Sequence, residues 1–143
     1  MIVIKNRFIP FGEYDAINLF GIVFTKVELT EKDKNHERIH TIQMLEIGSV
    51  VALFIIGLIY FAGISAWWLL AACPVYYVWS AVEYLWISIL HDKQLCAYHD
   101  VSFEEEAYAH EDDPTYFLFR KPFGWIKYLG SESNHTDDRN CCK

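Results

Sequence analysis

Residues 46–83 read EIGSVVALFIIGLIYFAGISAWWLLAACPVYYVWSAVE, and no charged residue falls between Glu46 and Glu83. A hydrocarbon core about 30 Å thick is crossed by about 20 helical residues, so this run is too long for one crossing and fits two arms folded back on each other. The fold-back falls at Gly63-Ile64-Ser65. The first arm runs from Ile47 to Ala62 and the second from Ala66 to Leu90, with Trp67, Trp68, Trp79 and Trp86 near its ends and along it. Tryptophan favours the membrane–water boundary. The first arm is short for a crossing, so it borrows length from the preceding helix, thins the bilayer or crosses incompletely. A buried hairpin of a soluble protein would share the pattern, but the length without charge favours the bilayer.

Outside this run the chain is more polar. With 143 residues it has room for one domain, and 53 % of those residues are hydrophobic and 17 % aromatic. The net charge of −7 argues against a nucleic-acid partner. Cys73, Cys96, Cys141 and Cys142 form no disulfide framework and read as free thiols in a reducing compartment. Met1 to Pro10 carries Lys5 and Arg7 and lacks a long apolar stretch, so no secretory signal is expected. Lys26, Lys32, Lys34 and Arg38 precede the hairpin and Lys93 follows it, while the turn carries no charge. The positive-inside tendency then puts both termini in the cytoplasm.

Residues 1–29 contain Ile2-Val3-Ile4 and the segment Ala16 to Val27, rich in β-branched and aromatic residues and punctuated by Pro10, Gly12 and Asp15. Two or three short strands are expected there. Thr30 with Asp33 three residues on has the form of a helix N-cap and its reciprocal acid, which predicts a helix over 30–46. That helix carries His36-Glu37-Arg38-Ile39-His40, a match to H-E-x-x-H. Residues four apart share one helix face, so two imidazoles can converge on one metal ion, and Glu37 beside the first can reach a water on it. A third ligand would come from Glu83, His91, His99, Glu104, Glu105, Glu106, His110 or Glu111; spacing alone does not choose.

Ser102 followed by Glu105 is a second capping pattern and predicts a helix over Phe103 to Ala109. Asp113-Pro114 predicts another start, and Phe123 to Leu129 supplies an aromatic face. Helices are therefore expected within 102–129, and residues 131–143 are polar and expected to be a disordered tail. Residues 1–130 then form a single membrane-embedded domain.

Ser102-Phe103-Glu104-Glu105-Glu106-Ala107-Tyr108 resembles the E-x-x-A-D element of gluzincin metallopeptidases of the HtpX and CAAX-prenyl-protease type. The resemblance implies that Glu104 completes a zinc site with His36 and His40. It also implies the fold: mainly α with a small N-terminal β element, a minimal zincin-like arrangement of an HExxH helix and a glutamate helix joined by a transmembrane helical hairpin (47–90). Ala107 fits the pattern, whereas Tyr108 stands where the family places the aspartate that orients a zinc-bound histidine. The stretches IKNRFIPF (4–11), NHERIHTIQ (35–43) and KPFGWIKYL (121–129) also resemble small bacterial membrane proteins, a likeness that carries no activity with it.

The expected protein is a zinc metallopeptidase of a bacterial inner membrane, cutting peptides or membrane proteins at the cytoplasmic surface. Glu37 would be general base and then general acid. Tyr108, one turn from Glu104, ranks ahead of His99 and His110 as donor to the oxyanion. An edge of the N-terminal strands would pair with the peptide. At about 100° per residue, Glu105 and Glu106 point away from the metal, and their loss should matter little. The same metal would also serve a zinc amidase or deformylase-like hydrolase, and without metal the chain would be a membrane scaffold that binds a partner through its aromatic hairpin.

Overall fold

The computed structural model describes residues 1–9, 15–91 and 98–130. Its N-terminal part is a three-stranded sheet of β1 (Ile2–Lys5), β2 (Ala16–Leu19) and β3 (Ile22–Thr25) in the order β1-β3-β2. β3 is central, parallel to β1 in the register Val3 opposite Val23 and antiparallel to β2 with Asn18 opposite Val23. Phe20 and Gly21 join β2 to β3, both with positive φ (55° and 80°), as a two-residue turn matched to strand twist requires. The strained Phe20 is held by its surroundings. Its N–H donates to the Tyr77 hydroxyl at 2.9 Å and its ring meets the Tyr77 ring edge-on.

One helix, α1 (Glu31–Ala62), carries both the H-E-x-x-H motif and the first apolar arm. It starts as the sequence predicts: the Thr30 hydroxyl accepts from the Asp33 N–H and the Asp33 carboxylate accepts from the Thr30 N–H. The expected boundary between 46 and 47 is absent, because nothing there breaks a helix. The change from polar to apolar sequence marks a change of surroundings along one rod. At 1.5 Å per residue the rod is about 48 Å long, and it ends at Gly63 in the left-handed conformation (φ 66°).

The chain then folds back, though not as a second continuous arm. A seven-residue 3₁₀ helix, Ala66–Ala72, is followed by α2 (Val75–His91), with Pro74 between them. Pro74 separates these two helices rather than kinking one, and its carbonyl accepts from the Val78 N–H to open α2. Among the described residues one helix, Glu31–Ala62, is long and apolar enough to cross a membrane, and only 11 % of its most apolar window is buried inside the protein. The side chains of Leu53, Phe54, Tyr60 and Phe61 on α1 and of Trp67 and Trp68 after the fold-back are exposed.

The helix α3 (Ser102–His110) returns to the polar half of α1, followed by α4 (Tyr116–Phe119) and a 3₁₀ turn, Gly124–Tyr128. The core lies where these meet: Met44, Tyr76, Val101, Phe103 and Trp125, with Tyr76 and Phe103 stacked at 4.7 Å. Asp113-Pro114 does not open a helix directly. The Asp113 carboxylate accepts from the Thr115 N–H and hydroxyl, a local turn before the four-residue α4. The expected tail, residues 131–143, lies outside the described residues.

Candidate metal centre

His36 and His40 stand one turn apart on α1, and their rings meet edge to face with centroids 4.6 Å apart. Their Nε2 atoms are 3.0 Å from each other. Across the gap, Glu104 on α3 brings Oε2 to 3.3 Å from His36 Nε2 and Oε1 to 3.4 Å from His40 Nε2. The close approach of the helices is possible because Ile39 and Ala107 fill the interface and are wholly buried. These three side chains, within 4.8 Å of one another at their ligand atoms, form the group among the described residues that could hold a metal ion.

The outer ring nitrogens determine what the inner ones present. His36 Nδ1 lies 3.0 Å from Glu111 Oε2, and a carboxylate can only accept there. His40 Nδ1 lies 2.9 Å from Gln43 Oε1. That amide is fixed in orientation because its Nε2 donates to the Phe103 carbonyl at 3.0 Å and to Glu106 Oε2 at 2.8 Å. Both Nδ1 atoms therefore carry protons in the neutral rings, and both Nε2 lone pairs point at each other and at the Glu104 carboxylate. Glu104 Oε2 is buried with no hydrogen-bond partner. One proton would satisfy part of this; a cation bound at the centre would satisfy all of it. The residues fit a metal ion on those grounds.

Burial opposes a charge on Glu104, yet with no metal present the protonated forms of His40 and His36 beside it hold its carboxyl far below the usual carboxylate range. Glu104 Oε1 also accepts from the Tyr98 hydroxyl at 2.6 Å. The Tyr76 hydroxyl reaches His40 Nδ1 at 3.0 Å. Glu37 has a buried Oε2 without a partner, and its backbone carbonyl accepts from the Asn18 amide of β2 and the Thr41 hydroxyl. The sheet is thus tied to the same turn of α1 as the histidines.

The other expected candidates are occupied elsewhere. Glu83 accepts from the N–H of Ser102 at 3.0 Å and from its hydroxyl at 2.8 Å, and so serves the start of α3. This replaces the expected Ser102–Glu105 box: Val101 is the N-cap and makes no side-chain cap bond. His110 contacts the Tyr128 hydroxyl and stacks on Tyr116, and the His91 side chain lies outside the described residues. Tyr108 meets His36 ring to ring at 4.6 Å and His99 at 4.7 Å, so it stands at the rim of the centre. The carboxylate beside His36 Nδ1 is that of Glu111, whereas the resemblance left Tyr108 in the place of an orienting aspartate.

Glu106 was expected to point away from the metal and its loss to matter little. It is wholly buried. Its carboxylate accepts from Arg120 Nε at 2.9 Å and Nη2 at 3.0 Å, and from the Tyr116 hydroxyl at 2.8 Å. Arg120 in turn donates to Glu46, whose Oε1 also accepts from the Phe123 N–H. This chain of charges joins α1, α3 and the C-terminal segment directly behind Gln43. No sequence signal marked it beyond the presence of Arg120 itself.

Comparison with protein families, curated proteins and solved structures gives no match. The chemical reading therefore rests on the centre itself.

Proposed function

We propose that the chain is a membrane-bound zinc metallopeptidase that hydrolyses peptide bonds near the cytoplasmic surface of a bacterial inner membrane. The observation that carries the reading is the spacing of the three donors. Nitrogen and oxygen ligands about 2.0–2.1 Å from a tetrahedral zinc ion stand roughly 3.3 Å from one another, and the pairs among His36, His40 and Glu104 are 3.0, 3.3 and 3.4 Å apart. Two histidines and one glutamate leave a position for water, the arrangement of a catalytic rather than a structural zinc.

Zinc held there would supply a Lewis acid for a carbonyl oxygen and a lowered pKa for water. Glu37, with its Oε2 free of other partners, takes the proton from the attacking water and passes it to the leaving amine nitrogen. Tyr108 and His99, at the rim, are the side chains to donate to the developing oxyanion. β2 is an edge strand tied to Glu37 through Asn18, so an extended peptide paired with it would run beside the general base. The membrane part of the reading is supported by the apolar half of α1 and by the basic residues that precede it.

The test is metal analysis of protein purified in detergent, followed by peptide cleavage. One zinc per chain is expected, retained in Glu37→Gln with loss of cleavage, and absent in His36→Ala and His40→Ala. Absence of metal in the wild type overturns the reading. Metal with activity only on non-peptide amides would make the protein a zinc amidase, which the same donor set allows.

A further inference from the structure

On the side of α1 away from the glutamate helix there is a cavity of about 390 Å³. Its walls come from three elements: Phe20 and Gly21 of the strand turn, Thr41 to Ala52 of α1, and Leu69, Ala72 and Cys73 of the returning segment. At Gly48 the returning segment comes close to α1: a Cβ there would stand 3.6 Å from the carbonyl of Ala72, an ordinary contact. The stretch of α1 that lines it is about 16 Å long. It begins at the residue after His40 and ends in the apolar half of the helix, so it crosses the level at which the sequence turns from polar to apolar.

The lining decides what can occupy it. No lining residue is charged. The Thr41 hydroxyl is committed to the Glu37 carbonyl and the Asn18 amide, and the Met44 sulfur accepts from the Tyr77 hydroxyl. The α1 backbone is engaged in its own helix. An extended peptide laid there would bury main-chain N–H and C=O groups with little to pair them, a costly arrangement. A saturated hydrocarbon chain brings no such groups, and the volume falls in the range of small-molecule sites.

We propose that this cavity binds one acyl chain of a bilayer phospholipid, whose headgroup stays outside near the polar half of α1. The chain would fill the space between α1 and the 3₁₀ helix and hold the metal centre at a fixed height over the membrane. The inference rests on the membrane reading above but not on the zinc chemistry.

The experiment uses the full chain in phosphatidylcholine vesicles that contain a phosphatidylcholine with a diazirine on one acyl chain. Vesicles are floated, irradiated, and the labelled peptides mapped by mass spectrometry. Label concentrated on 41–52 and 66–73 is expected, falling at least tenfold in Ala52→Phe and in Ser49→Leu, while label on the exposed Val82, Leu85 and Ile89 face of α2 is unchanged. Far-ultraviolet circular dichroism and the unfolding midpoint measured on each variant show that it is folded. Label spread evenly over the exposed apolar faces, or equal cavity labelling in the filled variants, overturns the proposal alone. Failure to float with the vesicles overturns the membrane reading and the proposal with it.

Discussion

Glu111 Oε2 lies 3.0 Å from Nδ1 of His36, and the other oxygen of the same carboxylate is paired with Lys32 at 3.0 Å. The histidine is thus oriented by a carboxylate that is itself held from the first turn of α1. Such partners raise the basicity of a metal-bound imidazole and fix its ring. Glu111→Ala should weaken metal binding by about 10–100-fold, while Tyr108→Phe, which keeps the ring against His36, should leave it within a few-fold. A chelator competition titration reads both. Equal affinity in wild type and Glu111→Ala would remove Glu111 from the site.

The three consecutive glutamates should separate into three behaviours. Glu104→Gln should abolish or strongly reduce metal binding with little change in fold. Glu105→Gln, at a half-buried position on the helix, should change neither by much. Glu106→Ala leaves Arg120 buried with one of its two carboxylates gone, and breaking a buried pair of this kind costs about 3–5 kcal/mol. Metal content and thermal unfolding of the three variants distinguish these outcomes.

Local chemistry in the sequence pointed to the first helix and to two of the three side chains that could hold a metal ion, because Thr30, Asp33, His36 and His40 lie within a few residues of one another and their geometry follows from helical spacing. Glu104 was reached only through resemblance, since three identical neighbours give one local pattern. What distinguishes them is what lies across the gap. Glu106 meets Arg120 fourteen positions later and Gln43 sixty-three positions earlier, pairings that no local window contains. Glu46 shows the same limit. As the last charge before the apolar run it reads as the end of a helix, yet it is a side chain turned to Arg120 in the middle of one. The broken return arm, too, depends on tertiary contact: the 3₁₀ helix packs along α1, where the Ala72 carbonyl comes close to Gly48.

Glu83 gives a prediction about how the apolar arm supports the centre. It is placed two residues from Glu104 through its bonds to Ser102, so it holds the first turn of α3 as a side-chain cap would. Glu83→Ala should cost about 0.5–2 kcal/mol, the range for loss of a helix cap. It should also lower metal affinity, because fraying the first turn displaces Glu104. Calorimetry and chelator titration on one preparation test both; a stability loss with unchanged affinity would mean that Glu104 is held without the cap.

Gly124 supplies the sharpest steric test of the buried charges. A Cβ at this position would collide with Glu106 Oε1 and lie 3.4 Å from the Tyr116 hydroxyl. The oxygen cannot simply swing aside, because it accepts from both Arg120 Nε and Tyr116. Gly124→Ala should therefore destabilise the protein by about 1–3 kcal/mol, the usual cost of overpacking, and the loss should be much smaller in a Glu106→Ala background, where the collision is gone. Gly57→Ala is the control: a Cβ there meets nothing within 4 Å, and no loss is expected. Unfolding curves of the four proteins form a double-mutant cycle for the pair, and strict additivity of Gly124→Ala and Glu106→Ala would show that the glycine is not there to make room for the carboxylate.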